Sequence, residues 1–426
     1  MSGIVSQLCA ETALPKMCRV QQQFDKGRID RDAIPAAIKA ELSRPGLGDP
    51  VKSGMRIAIT CGSRGVANIP VITKAIADFV RSKGARPFVV PAMGSHGGAT
   101  AEGQRELLAG YGVTEETIGC PIVSSMETVV IGKSGEGHNV RIDKNAAEAD
   151  GIIVAGRVKP HTDFHGTHES GLMKMMTIGL GKREGADVCH DAGFAHMPRM
   201  VPLFGRCILK NAPISLGLAI LENAYGETCK FVALRPEEID EKETVLLEEA
   251  RSHLPLIYFK EADVLVIDRI GKDISGDGMD PNVTGATHCS RYVSGGLKSQ
   301  CTVVLDLTPA THGAAIGIGA AHTITRRLFD KINYESTYVN AITARNLDFC
   351  RVPCVLDTDQ EAIQLALRCC VDIDRDNPRI IRIADSLHTE TIWISEAMCK
   401  EAEQNPRLSL LSKPEPWPFD SSGNLR

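Results

Sequence analysis

Gly151–His190 reads GIIVAGRVKPHTDFHGTHESGLMKMMTIGLGKREGADVCH, and its opening run decides the class of the fold. GIIVAG is apolar without alternation, so it is expected as a strand buried on both faces, the habit of parallel sheets covered by helices. Two runs upstream have the same character. MRIAIT (Met55–Thr60) leads through the turn CGSRG into a helix expected from about Ile69 to Lys83. RPFVVPA (Arg86–Ala92) leads through GSHGG into a helix over TAEGQRELLAGYG. All three strands end in glycine-rich polar turns. In a parallel sheet such turns share one edge, where α/β proteins place their ligands.

Outward from this core, residues 1–50 read as a helical lead-in ending at Pro45-Gly46, and RPEEIDEKETVLLEEARSHLP (Arg235–Pro255) as a charged helix and hinge. A second α/β unit begins at ADVLVIDRIG (Ala262–Gly271). It continues through CTVVLDLT (Cys301–Thr308), helices over AAHTITRRLFDKI and DTDQEAIQLALRCC, and strands RIIRIA and TIWIS. PEPWPFDSSGNLR is expected as a loose tail. A chain of 426 residues exceeds what one core usually supports. The expectation is two α/β domains with mostly parallel sheets, residues 1–255 and 256–426, and an active-site cleft between them.

Composition excludes several classes. Net charge is -5, with acids and bases dispersed and no basic stripe, so no nucleic-acid partner is expected. MSGIVSQLCAETALPKM lacks the basic start and apolar core of a secretory signal. The apolar run VPLFGRCILKNAPISLGLAI is broken by Arg206, Lys210 and Pro213, so no membrane span is expected. The 14 cysteines are scattered without paired CxxC spacing, which fits a cytoplasmic chain whose thiols act as small buried hydrophobes. Cys61 stands apart because it opens a strand-end turn.

The chemistry-bearing residues cluster in those turns. His96 in MGSHGGAT could act as acid or base, or be an exposed turn histidine. His161, His165 and His168 have an H-x3-H-x2-H pattern from which a zinc hydrolase can be drawn, although Pro160, Gly166 and Gly171 argue for a loop rather than a helix there. Lys174 in SGLMKMM is either a desolvated amine suited to covalent chemistry or a lysine snorkelling to solvent. His190 ends an expected helix, where it could simply pair with the dipole. Arg64 in CGSRG could clamp a carboxylate or phosphate.

Taken together, these loops resemble the nickel-pincer lactate racemase family over most of the chain. The resemblance implies that His96 in AMGSHGG and His161 in KPHTDF are the catalytic histidines. It implies that Lys174 in ESGLMK bonds covalently to a nucleotide-derived pyridinium, and that His190, 16 residues further on, ligates nickel. Arg64 would contact cofactor or substrate, with Cys61 and Ser63 beside the cofactor in the same turn. The implied cofactor is a nickel-pincer nucleotide, a Ni(II) pyridinium bisthiocarboxylate mononucleotide. The implied reaction is racemisation or epimerisation of a 2-hydroxy acid by reversible hydride transfer, with the histidines alternating as acid and base. Its partners would be that small acid and the cofactor-synthesis enzymes.

The chain also departs from the family pattern. TCGSR has Thr60 and Cys61 where the lactate enzymes carry an aspartate before the arginine. GKDISGDGMDPNVTG (Gly271–Gly285) lacks the family's lysine at its place, and Asp280 and Asn282 stand there as replacement substrate contacts. HTDFHGTHES lengthens the interval between His161 and Lys174, which favours a larger or more polar 2-hydroxy acid, or a sugar acid, over lactate. His312 adds an imidazole without an assignable role. A non-catalytic sensor of a small acid is the remaining alternative.

Overall fold

The computed structural model describes residues 3–287, 292–343 and 345–426, without the side chains of His190 and Thr343. The chain divides into two compact units, Lys26–His253, and Met1–Asp25 together with Leu254–Arg426.

The Lys26–His253 unit holds a five-stranded sheet and a two-stranded one. Its strands are β1 (Arg56–Cys61), β2 (Arg86–Pro91), β3 (Thr128–Lys133), β4 (Asn139–Asp143), β5 (Gly151–Arg157), β6 (Ile214–Glu222) and β7 (Thr228–Leu234). The larger sheet runs β2-β1-β5-β6-β7, parallel except for β7 against β6; β3 and β4 form the antiparallel pair. Its principal helices are α1 (Ile34–Leu42), α2 (Ile69–Ser82), α3 (Ala101–Gly110), α4 (Lys182–Asp191), α5 (Met197–Asn211) and α6 (Pro236–Ser252).

The unbroken apolar runs are explained by burial on both sides of the sheet. Ile152 and Val154 pack with Phe164, Met173, Met176 and Phe204 in one core, whereas Ile153 packs with Ile57, Ile59, Ile72 and Ile76 in the other. Successive side chains of a strand point to opposite faces, so a single sheet builds both cores. Each fully buried isoleucine contributes on the order of 2 kcal/mol. Helix α3 starts where Thr100 accepts the Gly103 N–H at 3.0 Å, which sets the end of the His96 turn.

The other unit holds an eight-stranded sheet. Cys354–Leu356, Thr323–Thr325, Lys298–Leu307, Glu261–Ile270 and Ile380–Ile383 pair in parallel in that order. Thr391–Ser395, Met17–Gln22 and Leu408–Leu410 complete it in antiparallel pairing.

Three sequence expectations are corrected here. The first residues are not a helical lead-in to the first unit: Met17–Gln22 is a strand whose alternate residues Cys18 and Val20 are fully buried in the second unit's core. AAHTITRRLFDKI is not one helix, because the β-branched Thr323–Thr325 joins the sheet before a short helix, Arg326–Phe329, begins. The C-terminal residues are held rather than loose. Trp417 donates its indole N–H to the Pro15 carbonyl at 2.9 Å and stacks on Phe419, and Leu425 N–H reaches Asp359 Oδ2 at 2.8 Å. Among the described residues, no helix is long and apolar enough to cross a membrane.

Candidate active site

The ends of β1, β2 and β5 meet one segment, Gly171–Gly181. It begins as a short helix, Leu172–Lys174, and continues as a π-helix over Met175–Leu180. Glycines let the backbones approach. A Cβ at Gly62, after β1, would stand 3.0 Å from Met175 Cε, and one at Gly156, in β5, would stand 3.3 Å from it. After β2, Gly94 N–H donates to the Gly179 carbonyl at 3.2 Å, in a left-handed conformation (φ 59) that favours glycine. The three turns therefore converge on the residues that flank Lys174.

His161 and Lys174 share an aromatic ring. His161 stacks on Phe164 with centroids 4.4 Å apart, and Lys174 Nζ lies 5.5 Å from the centroid of the same ring. Phe164 is fully buried, while His161 and Lys174 are half-buried. His161 Nδ1 accepts the Asp163 N–H at 3.0 Å, and Asp163 Oδ2 is 3.9 Å from the same nitrogen. His96 is exposed on the turn after β2, and Arg64 is exposed on the turn after β1. Ser63, half-buried, accepts the Tyr111 hydroxyl through its carbonyl at 2.9 Å.

Two other sequence candidates of this unit, Cys61 and His168, are turned away from this group. Cys61 is 1% exposed and packs in the core that holds Ile72 and Ile76, opposite the core that holds Leu172 and Met173; burial pushes its thiol up to about 12. The zinc pattern does not assemble: among the described residues no cluster of three metal-ligating side chains forms. His168 is 1% exposed with both ring nitrogens engaged, Nε2 with the Asp240 carbonyl at 2.8 Å and Nδ1 with Thr167 Oγ1 at 3.1 Å. Burial lowers its pKa, which favours the neutral ring. His190 lies in α4, with its side chain outside the described residues. Asp280 and Asn282 are buried in the other unit and build their own turn, Asp280 Oδ1 accepting Asn282 N at 3.0 Å and Nδ2 at 2.9 Å. His312 is exposed in a left-handed turn of that unit.

Buried charges brace the loops. Glu169, fully buried, accepts the His161 N–H at 2.7 Å and the Gly166 N–H at 3.0 Å, and Arg251 of α6 pairs with it. Glu243 of α6, also fully buried, accepts the Met173 N–H at 2.9 Å. Burial pushes this carboxyl up to about 7 against the pull of the Met173 and Leu172 amides. Beneath the His96 turn, Lys182 is fully buried, 3.3 Å from Asp143 Oδ2 and 3.1 Å from Gln104 Oε1. Gln104 Nε2 in turn donates to the carbonyls of Gly94 (3.0 Å) and His96 (3.2 Å). Burial draws Lys182 down and Asp143 up, and their mutual attraction opposes both shifts.

Residues 14–200 match the model of the lactate racemase N-terminal domain. Over these residues the chain is similar to that domain. It is also similar to the lactate racemase apoprotein from Thermoanaerobacterium thermosaccharolyticum, at 16% identity and a TM-score of 0.44, covering 87% of this chain and 89% of that one. No curated protein matches the sequence.

The matched residues include His96, His161 and Lys174, whereas α6 lies beyond them. The sequence reading of this domain missed Glu169, Lys182, Glu243 and Arg251. Glu243 had a visible signal, because it falls on the stripe Ile239, Glu243, Leu246, Leu247 and Ala250, all buried. Glu169 and Lys182 had none, since their burial depends on partners distant in sequence.

Proposed function

We propose that this chain is a racemase or epimerase of a small 2-hydroxy acid. It works with a nickel-pincer nucleotide anchored on Lys174 and loaded by the enzymes that make it. The observation that carries the reading is the meeting of the turns bearing His96 and His161 at the segment bearing Lys174.

The residues fit such a group. Lys174 presents a half-buried amine over an aromatic face, on a turn fixed from below by a carboxylate. The anchor is therefore Lys174, and His190, in the helix that follows, is the proposed nickel donor. When bound, the group would supply a hydride acceptor beside the substrate carbon.

The chain's own residues handle the proton. Because Nδ1 of His161 accepts a backbone N–H, the neutral ring carries its proton on Nε2 and enters as a donor. To take a proton, the ring must release the Asp163 amide, and Asp163 Oδ2 then stands by to stabilise the imidazolium. His96, on a separate turn, serves the other face of the substrate as acid or base. Arg64, exposed on the first turn, is suited to hold the substrate carboxylate or a cofactor phosphate. The longer loop between His161 and Lys174 favours an acid larger or more polar than lactate.

The test uses cofactor-loaded protein and each enantiomer of a 2-hydroxy acid. Wild type should interconvert them, and His96→Ala or His161→Ala should slow turnover by about 10²–10⁴-fold. Unchanged interconversion in either variant removes the two-histidine assignment.

A further inference from the structure

Glu243 takes no part in the proton chemistry above, yet it is a carboxylate buried against the turn that carries Lys174. It meets backbone: Oε2 accepts the Met173 N–H, the Leu172 N–H adds a second pull, and Oε1 has no hydrogen-bond partner among the described residues. Gly171 leaves it room, since a Cβ there would come within 2.4 Å of Oε1. Burying a carboxylate is costly unless it is compensated, and a hydrophobic side chain of similar volume would pack the site without that cost. What a carboxylate offers in return is a fixed direction for the two amides that start the Lys174 turn.

We propose that Glu243 is a positioning residue for Lys174: from α6 it holds the Leu172–Met173 amides and so sets where the Lys174 amine is presented. The proposal rests on the reading of Lys174 as the anchor, but its test does not need the cofactor.

Cofactor-free protein is treated with limiting acetic anhydride. Acetylation of Lys174 is then measured by peptide mass against Lys74, an exposed lysine on α2. Glu243→Met keeps the volume and removes the charge, so it should melt at or above the wild-type temperature. Its Lys174-to-Lys74 ratio should nevertheless shift by roughly tenfold, the scale of one lost charge-assisted hydrogen bond. Glu243→Gln, which keeps one carbonyl acceptor, should return the ratio toward wild type. A folded Glu243→Met protein with the wild-type ratio overturns the proposal, because a space-filling role predicts that result. Should Glu243→Met fail to fold, Gly171→Ala tests the same seat from the other side, with the same ratio shift expected and an unchanged ratio contradicting it. A wild-type chain that never acquires a Lys174 adduct would defeat the functional reading but leave this comparison intact.

Discussion

Two loops carry the proposed chemistry, and they are braced in different ways. The His96 turn rests on an ion pair: Lys182 faces Asp143 inside the protein, and Gln104 passes that anchoring on to the carbonyls of Gly94 and His96. The His161–Lys174 loop rests on carboxylates that hold backbone amides: Glu169, itself paired with Arg251, under His161, and Glu243 under Met173. In the first brace each charge depends on the other, so removing one strands its partner. In the second, Glu243 meets only amides among its strongest contacts, and a neutral acceptor can replace much of its action. The difference indicates that the two braces should fail by different amounts and with different pH dependence.

The largest effect is expected at the ion pair. Lys182→Met leaves Asp143 buried without its cation and should destabilise the unit by about 3–5 kcal/mol, measured by chemical unfolding. Adding Asp143→Asn, which keeps an acceptor for the Ala146 N–H, should recover much of that loss. If the double variant is no more stable than the single one, the two braces are not distinct in kind.

Glu243 should give an intermediate effect that depends on pH. Its folded pKa of about 7 lies above the usual 4.5, so between those values the folded chain holds a proton that the unfolded chain has released. Wild-type stability should therefore fall as pH rises through that window, by about 3 kcal/mol in total. Glu243→Gln lacks this fall, so its stability relative to wild type should climb from pH 4.5 to 7 and then level off. A difference that is constant with pH would mean that the carboxyl titrates normally.

The smallest effect belongs to the exposed side of the same helix. Arg206 pairs with Asp240 of α6 at 2.6 Å, but its side chain is 61% exposed. Arg206→Gln should cost less than about 1 kcal/mol. A larger loss would blur the contrast between buried and surface charges on α6.

The sheet of the first unit was legible because β1, β2 and β5 are apolar without alternation, a pattern that double-sided burial demands. The strand-end turns were legible because glycine and histidine interrupt those runs. The strand Met17–Gln22 was not, since MCRVQQ alternates weakly and its partners lie 370 or more residues away in sequence. The braces were hidden for a similar reason, apart from the place of Glu243 on the apolar stripe of its helix. Arg235–Pro255 reads as a charged helix, and only the fold shows that Glu243 and Arg251 meet loops some 70 to 80 residues earlier. Cys61 misled because it opens a strand-end turn, whereas strand parity directs its thiol into the core.

The central claim is that Lys174 is the anchoring amine of this site, and peptide mass mapping tests it most directly. Protein made together with the cofactor-building enzymes should carry a covalent mass increase on the peptide containing Lys174, and Lys174→Arg should lose it while remaining folded. An adduct on another lysine such as Lys182, or none on a chain shown to fold, would contradict the account.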